Sequence, residues 1–514
     1  LPFFGNTKAL GVWKEALTDA ELRSLTYPTP TAATFDLDFN TIATDFTFTR
    51  NSEATFVNAQ GLIQSTNELG AELVTNGDFA TDSDWTKGTG WSISGGSANC
   101  DGSNGALDQY SITTVGKTYK VDITVTDMTT ATVNVRLGTS SSDIIGSILA
   151  NGTYTFYGTV ASNTTFRIRS SVGFDGSIDN VSVKEYITET NTPRLDYSTG
   201  AEAFLLEPQR TNLLQYSEDF SNAIWIKQSG ITITYSTNEV VSPSGLNDAS
   251  KVVSTNSTSG FYSTGLSVTE AATRSIYLKG SVGGESVTLK DGSGNGGINT
   301  FTLTTEWVRY ELKTTNDGNT YQGLFIDNIS VGTIYAYGAQ LEQGSYATSY
   351  IPNNGEANGV TRNQELCYDA TPVINSEEGV LYAEISGFEN DNTKRYISLN
   401  NGTLNYDVRL YLDVNGYISV LSKVAGTTQV FLQSNSYTQT DFNKVAFKYK
   451  ENDFALWING VKVATDTSGI TSPANTLNQL DFNGNNLDFF GNTKGLKVYP
   501  KALADVELQD LTTI

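Results

Sequence analysis

The two ends of the chain carry the same stretch of sequence, and this repeat limits how the chain can fold. Residues 487–512 match residues 1–26 without a gap, and 16 of the 26 positions are identical. Each copy has a Gly-Asn turn, a short strand and an amphipathic helical segment, and the C-terminal strand is predicted from Leu496 to Tyr499. A strand with one short helix cannot bury its own apolar face. Each copy must therefore complete a larger domain that lies N-terminal to it.

The C-terminal copy follows such a domain, whereas the N-terminal copy begins the sequence. We therefore interpret residues 1–27 as the tail of a preceding domain in a longer chain of repeated modules. The alternative is a strand donated to a neighbouring subunit. The N-terminal copy also contains Thr18-x-x-Glu21, a capping box for its helix, whereas Ala504 replaces the capping threonine in the other copy.

Composition indicates an all-β protein and excludes several partners. The 514 residues include 47 Gly, 26 Tyr and 24 Phe, and only 17% are charged, which is typical of many short strands joined by turns. A net charge of -23 argues against nucleic acid and anionic membranes, since both would repel the chain. No segment approaches the run of about 18 apolar residues that would span a bilayer.

The chain contains no histidine, which removes whole classes of chemistry. Ser-His and Cys-His nucleophiles, the usual zinc sites and histidine acid-base catalysis are all excluded, so carboxylates are the remaining catalytic candidates. Cys100 and Cys367 fall in different predicted domains, so a disulfide framework is not expected.

The pattern along the chain predicts tandem β-sandwiches joined by extended connectors. Residues 70–186 and 211–350 each contain evenly spaced short strands, and each begins with Asp-Phe followed by a Trp (Trp85 and Trp225), which indicates two divergent copies of one sandwich. Residues 28–69 and 187–210 are predicted connectors, residues 351–372 a linker, and residues 373–514 a third sandwich. In the third sandwich, Asn415-Gly416 and Asn459-Gly460 lie between apolar runs and predict two tight hairpins.

Five motifs lie in the predicted connectors and in the second sandwich with its linker. They are Arg50-Asn51-Ser52-Glu53-Ala54-Thr55, Pro193-Arg194-Leu195-Asp196-Tyr197, Leu206-Glu207-Pro208-Gln209-Arg210-Thr211-Asn212, Gly338-Ala339-Gln340-Leu341-Glu342 and Thr348-Ser349-Tyr350-Ile351-Pro352. Together they resemble the phage head-spike and tail-fibre family. In that family the first motif leads almost directly to the second, so residues 70–186 look like an insertion similar to jelly-roll carbohydrate-binding modules. Residues 373–512 are similar to laminin-G or concanavalin-like lectin domains, and residues 1–27 then resemble the end of another such domain.

This resemblance implies a non-enzymatic fibre or spike on the virion surface, outside the cell. Its implied partners are a host cell-surface glycan, other virion structural proteins and further copies of itself, with neither nucleic acid nor membrane. A structural spacer without a ligand and a bacterial surface adhesin are the alternatives. Apolar patches on the sandwich faces would favour the spacer, and a groove lined by aromatics and amides would favour glycan binding.

The jelly-roll resemblance also implies a calcium site, because oxygens from the first and last strands of such modules meet. Asp78 and Asp179 are the matching positions, and neighbouring carbonyls would have to complete the 6–8 oxygen ligands that calcium needs. Tyr335 stands at the place of Asp179 in the second sandwich, which argues against a site there. The segment from Asp481 to Asp488 alternates oxygen ligands but is better explained as an Asn-Gly turn.

Tryptophans and paired carboxylates are the other candidate functional residues, and for most of them a core role is favoured. Five tryptophans could form sugar platforms, but their apolar surroundings favour packing: Trp85, Trp91, Trp225, Trp307 and Trp457. Glu384 and Glu389 flank a loop without a third carboxylate, and no Glu-x-Asp-x-x-Glu cluster of a glycan hydrolase is present in the sequence. We therefore predict no enzymatic activity and no catalytic residue.

Overall fold

A computed structural model describes residues 32–514 except 130, 237–238, 267, 269, 293–296, 315–321, 404 and 485–486. The predicted tail at residues 1–27 lies outside the described residues. Nearly all the regular secondary structure of the described chain is strand, and its two α-helices are α1 (Ile42–Asp45) and α2 (Asp505–Thr512). None of the helices in this part of the chain is long and apolar enough to cross a membrane.

The first sandwich consists of two antiparallel sheets that enclose one apolar core. Along its central strand β10, Tyr119, Val121, Ile123 and Val125 are buried while the residues between them are more exposed, because successive side chains of a strand point to opposite faces. The sheet orders are β13-β10-β15-β8-β7, with β5 beside β15, and β12-β11-β14-β9-β6. Four short strands precede this sandwich: β1 (Phe35–Asp36), β2 (Thr47–Thr49), β3 (Thr55–Val57) and β4 (Ile63–Ser65). Its own strands are β5 (Glu68–Glu72), β6 (Thr86–Lys87), β7 (Trp91–Ser94), β8 (Ser97–Asp101), β9 (Ala106–Gln109), β10 (Thr118–Thr126), β11 (Val133–Leu137), β12 (Ile144–Ile148), β13 (Gly152–Thr159), β14 (Phe166–Ser170) and β15 (Asp175–Ile187).

The second sandwich repeats the strand order of the first. Its sheets run β26-β23-β28-β21-β20 and β25-β24-β27-β22-β19, so each strand has a counterpart in the first sandwich at the same place in chain order. The prediction of two copies of one sandwich is confirmed. The strands before it are β16 (Arg194–Asp196), β17 (Ala203–Leu206) and β18 (Arg210–Asn212). Its own strands are β19 (Ile226–Lys227), β20 (Ile231–Tyr235), β21 (Ser250–Ser254), β22 (Phe261–Leu266), β23 (Ala272–Gly280), β24 (Ser286–Lys290), β25 (Ile298–Thr302), β26 (Val308–Thr314), β27 (Gln322–Asp327) and β28 (Gly332–Gln343).

The third sandwich packs a long sheet against a five-stranded one. The first has the order β16-β17-β42-β31-β36-β37-β38, with β1 also on β42, and the second the order β35-β34-β33-β32-β39. Helix α2 packs on the outer face of the long sheet through Leu508. The strands are β29 (Val360–Arg362), β30 (Leu366–Tyr368), β31 (Glu378–Ser386), β32 (Arg395–Asn400), β33 (Asp407–Leu412), β34 (Tyr417–Val424), β35 (Thr427–Ser436), β36 (Asn443–Lys450), β37 (Phe454–Ile458), β38 (Val461–Asp466), β39 (Gln479–Asp481), β40 (Asn483–Gly484), β41 (Leu487–Asp488) and β42 (Gly491–Tyr499).

The predicted connectors contribute to this third sandwich. Strand β1, from residues 28–69, and strands β16 and β17, from residues 187–210, all belong to its long sheet. Strand β30, from the predicted linker 351–372, pairs with β2, and β29 pairs with β18. These segments are therefore integral parts of a folded unit, because their backbone groups find partners far away in the sequence.

Local predictions in the third sandwich agree with the structure. Asn415 and Asn459 have φ angles of 60° and 50°, and each is followed by a glycine of positive φ between two paired strands, as a type I′ hairpin requires. Cys100 and Cys367 are both buried and free. The predicted fold class, all-β with tandem β-sandwiches, is confirmed.

Candidate functional site

A cluster of five buried charged side chains lies where the sandwiches meet. Its members are Arg50, Arg194, Glu207, Arg362 and Glu365, and none is more than 2% exposed. They come from the stretches before the first sandwich, before the second and after the second. We call this group the junction cluster.

Glu365 and Arg194 are the centre of the junction cluster. Glu365 Oε1 accepts hydrogen bonds from Arg50 Nη1 (2.7 Å) and Arg194 Nε (2.8 Å), and its Oε2 accepts from Arg194 Nη2 (2.5 Å). Arg194 Nη2 also donates to Glu207 Oε2 (2.7 Å), and Arg362 Nη1 forms an ion pair with the same oxygen (2.8 Å). A fork of planar donors facing two carboxylates is the geometry in which arginine pairs are strongest.

The electrostatics of the junction cluster favour the charged forms. Burial alone would raise the pKa of Glu207, but Arg362 and Arg194 outweigh it and lower that pKa to about 2. Ser349 adds two donors, since its backbone N–H and its hydroxyl both bond to the Glu207 carboxylate (2.7 and 2.6 Å). The Glu207 carboxylate is therefore ionised throughout the neutral range, and its ion pairs with Arg194 and Arg362 hold the segments of these residues against one another.

A cleft of about 480 Å³ opens beside the junction cluster, and we call it the junction cleft. The cleft has three walls, which come from different parts of the chain. The first is the β3–β4 hairpin, the second is the outer face of the second sandwich, and the third combines the β16–β17 hairpin with the third sandwich. Glu207 and Ser349 belong to both the cluster and the cleft wall. Clefts between folded units are common places for ligand binding.

Aromatic rings and polar groups face the junction cleft together. The half-buried rings of Phe56, Tyr277 and Phe388 line it, one from each wall. Arg309 lies 5.5 Å from the centre of the Tyr277 ring and donates to the carbonyl of Thr348 at 2.7 Å. Burial raises the pKa of the Tyr277 hydroxyl, so it is a neutral donor at physiological pH.

Two further residues give the cleft its hydrogen-bonding character. Asn492 on β42 is 6% exposed and lines the cleft, and its Oδ1 has no hydrogen-bond partner among the described residues. Asp196 is 4% exposed, and its carboxylate accepts from the backbone N–H of Val57 (2.7 Å) and of Ser198 (2.9 Å). Asn492 is thus the group in this wall that is left for a donor on a ligand.

The structure brings the segments of Asp78 and Asp179 together without joining their side chains. The N–H of Val181 donates to the carbonyl of Gly77 at 2.9 Å, so the two loops are neighbours. The Asp179 carboxylate accepts from the N–H of Asn180 (2.6 Å), and that of Asp78 from the N–H of Ala80 (3.3 Å). Within the described part of the chain, no group of three or more Cys, Asp or Glu residues is placed to hold a metal ion. Calcium at these two aspartates stays a prediction.

The tryptophans serve packing, as predicted for most of them. Trp85 and Trp225 hold matching positions: each indole N–H donates to a carbonyl of the segment that opens its sandwich, Asn76 O (2.9 Å) and Tyr216 O (3.0 Å). Trp91 and Trp457 are also buried, at 7% and 5% exposure. Trp307 is partly buried, and its N–H donates to the carbonyl of Val241.

The two carboxylates considered in the sequence, Glu384 and Glu389, have different surroundings in the structure. Glu389 makes an ion pair with Lys313 of the second sandwich, whereas Glu384 lies within β31. In the segment from Asp481 to Asp488, β40 and β41 form a small hairpin whose turn residues lie outside the described residues. The candidate site residues predicted from the sequence are thus not those of the junction cleft, although the motifs at 193–197, 206–212 and 348–352 contribute to its lining. A signal for the cluster was present in Glu207, which directly follows the fully apolar strand Ala203–Leu206.

Comparison with known proteins adds partial similarities to solved structures. No family model and no curated protein matches the chain. A carbohydrate-binding module of family 40 from a Ruminococcus gnavus sialidase is 20% identical over 27% of this chain and 83% of that one, with a TM-score of 0.24. Domain 4 of an arabinanase from Geobacillus stearothermophilus is 15% identical over 33% and 83%, with a TM-score of 0.25. A tandem family 22 module from Paenibacillus barcinonensis is 10% identical over 54% and 99%, with a TM-score of 0.19.

Proposed function

We propose that this protein is a non-enzymatic virion fibre or spike component that displays β-sandwich domains and binds a host-surface glycan in the junction cleft. The observation that carries the proposal is the lining of that cleft, which combines three aromatic rings with a buried amide oxygen that has no hydrogen-bond partner in the described part of the chain. Sugars present apolar ring faces together with hydroxyl groups. Such a ligand would stack on an aromatic wall and donate to Asn492.

The junction cluster supports a role that needs a fixed arrangement of domains. Ion pairs that are fully buried lose much of their energy when one partner moves, so the segments around Arg194 and Glu365 resist displacement. A fibre that presents a ligand site at a distance from a particle requires such stiffness. The motifs that resemble the phage head-spike and tail-fibre family contain three of the five members of the junction cluster, Arg50, Arg194 and Glu207.

A glycan array probed with the full chain, followed by calorimetry on the glycans it retains, tests this function. We expect Asn492→Ala and Phe388→Ala to weaken binding about tenfold or more, since each removes a contact on the cleft wall. Phe431→Ala is the matched control, because Phe431 is an exposed aromatic of the third sandwich that does not line the cleft.

The same experiment separates the alternatives. If no glycan binds the full chain, the protein is a structural spacer. If binding occurs but is unchanged by both cleft variants, the ligand site lies elsewhere in the molecule. Binding of the fluorescently labelled chain to whole bacteria, competed by the retained glycan, then tests attachment to a host surface.

A further inference from the structure

A second cleft of about 430 Å³ lies on the outer face of the five-stranded sheet of the third sandwich. It shares no lining residue with the junction cleft. Strands β32, β33 and β39 form its floor. Its polar lining includes Asp369, Asn400, Asp407, Gln479 and Asp481. Its lining contains three carboxylates and neither lysine nor arginine.

Two amide donors of this cleft, those of Asn400 and Gln479, are used within its wall. Asn400 Nδ2 donates to Asp481 Oδ2 (2.6 Å), and Gln479 Nε2 donates to Asp369 Oδ1 (2.9 Å). Asp481 Oδ1 accepts from the backbone N–H of Asp369 (2.6 Å). Because these two donors are engaged, they do not compete with the donors of a ligand in the cleft.

Asp407 supplies the strongest of these acceptors. The residue is 2% exposed, and one oxygen of its carboxylate, Oδ2, forms an ion pair with Arg409. The other oxygen, Oδ1, has no hydrogen-bond partner among the described residues. Arg409 is held 5.0 Å from the centre of the Tyr396 ring, and Lys423, opposite Asp407 on β34, makes no ion pair with it in the described chain. A buried carboxylate oxygen without a donor is costly, and a ligand that supplies the donor gains this energy on binding.

The carboxylates do not converge on one point, because both oxygens of Asp481 are engaged by Asp369 and Asn400. A bare metal ion would need several oxygens around one centre. An ammonium group needs no such convergence, because one carboxylate oxygen together with water or ligand hydroxyl groups can accept from its three donors. When the positive charge of Arg409 is counted, the three carboxylates of the wall still leave an excess of two negative charges. This excess favours a cationic ligand over a neutral donor.

We propose that this second cleft binds a primary ammonium group carried by a hydroxyl-rich ligand, a glycan unit with a free amino group. The ammonium group donates to Asp407 Oδ1, and the remaining hydroxyl groups bond to the oxygens of Asp369 and Gln479. This site is separate from the one proposed for host glycans in the junction cleft, and it does not depend on it.

Calorimetry on the full chain tests the site with two matched probes: the trimer of glucosamine and the trimer of N-acetylglucosamine. We expect the glucosamine trimer to bind at least tenfold more tightly, and its affinity to fall when salt is raised from 50 to 300 mM, because salt screens the attraction between the ligand and the carboxylates of the cleft. Asp407→Asn should reduce this affinity at least tenfold. Glu306→Gln, at an exposed position that lines neither cleft, should leave it unchanged.

A second variant is included because Asp407→Asn also leaves Arg409 without its partner. This second variant tests the cleft without removing a buried charge. Thr403 is exposed and lines the cleft, so Thr403→Lys would place an ammonium group there without disturbing the core, and it should abolish binding. Equal affinity for the two trimers, or binding that both variants leave intact, would overturn the proposal. Spermidine that binds as tightly as the glucosamine trimer would overturn the assignment to a sugar.

Discussion

The junction cluster places three guanidinium groups and two carboxylates out of contact with water. This burial determines how much the cluster contributes to the free energy of unfolding. A buried pair that is kept whole contributes little net energy, because desolvation offsets the attraction between the charges. Loss of one member is different, since the remaining charge has no water to stabilise it. Glu365 is the critical member, because it contacts both Arg50 and Arg194.

We therefore predict that Glu365→Gln lowers the free energy of unfolding of the third sandwich by about 3–5 kcal/mol. Urea unfolding followed by tryptophan fluorescence would measure the change. Glu389→Gln is the control with the same substitution, because Glu389 pairs with the exposed Lys313 and should cost less than about 1 kcal/mol. Similar losses in the two variants would mean that the cluster does not hold the junction.

The carboxyl group of Glu218 gives a prediction of how the free energy of unfolding depends on pH. Burial, followed by the nearby Asp248, raises the pKa of Glu218 from 4.5 to about 7, although the hydroxyls of Tyr350 and Tyr337 bond to it. The folded protein therefore keeps a proton that the unfolded chain releases between about pH 4.5 and 7. Stability falls as pH rises through this window and stays lower above it.

Glu218→Gln cannot ionise, so the variant should lose this part of the pH dependence. We expect it to be more stable than the wild type by about 1–3 kcal/mol at pH 8 and to differ little at pH 4.5. Thermal melts of both proteins from pH 4.5 to 8 would show the two curves separating with increasing pH. Curves that remain parallel would contradict the prediction, and Glu306→Gln, at an exposed position, controls for the change in net charge.

The terminal repeat shows which positions of β42 and α2 keep the same amino acid in both copies. Ten positions of residues 487–512 are buried, and nine of them have the same amino acid in residues 1–26; of the six exposed positions only two do. Identity therefore follows burial in β42 and α2. Position 504 is exposed, and there the C-terminal copy has lost its cap: the Ala504 N–H still donates to Glu507 (2.8 Å), but no side chain caps the helix.

We predict that Ala504→Thr, which restores the residue found at position 18, stabilises the third sandwich by about 0.5–1 kcal/mol. The threonine hydroxyl would accept from a backbone N–H in the first turn of α2. The variant Ala504→Val has the same branched shape without the hydroxyl and should give no gain. Urea midpoints of the three proteins would measure the difference, and an equal gain from valine would point to packing instead of capping.

The two hairpins could be predicted because their sequence signal is local. The junction cleft could not be predicted, because its residues are far apart in the sequence. Asn415 and Asn459 identify their hairpins because a two-residue turn depends on those residues alone. Strand β17 pairs with β42, so Leu205 lies opposite Asn492 although 286 residues separate them, and no local pattern records such a partner. The lining of the junction cleft is made entirely of contacts of this second kind.

At the scale of the whole molecule, the first sandwich is an insertion into a continuous scaffold. The chain leaves the scaffold at Asn67 and returns at Glu189, whose N–H donates to the Asn67 side chain at 3.1 Å. Strands β5 and β15 begin and end there as a pair, with Glu68 opposite Ile187. No residue between 68 and 188 lines the junction cleft or belongs to the junction cluster.

We therefore predict that residues 68–188 can be replaced by two glycines without loss of the scaffold or of its clefts. The two ends are close enough for a tight turn, and the sandwich that is removed has its own core. The shortened chain should keep the urea transition of the third sandwich and bind the same glycan as the full chain within about twofold. Asn492→Ala in the shortened chain should again weaken binding, which shows that the retained site is the junction cleft. Aggregation of the shortened chain, or loss of glycan binding with the fold intact, would mean that the first sandwich takes part in the site.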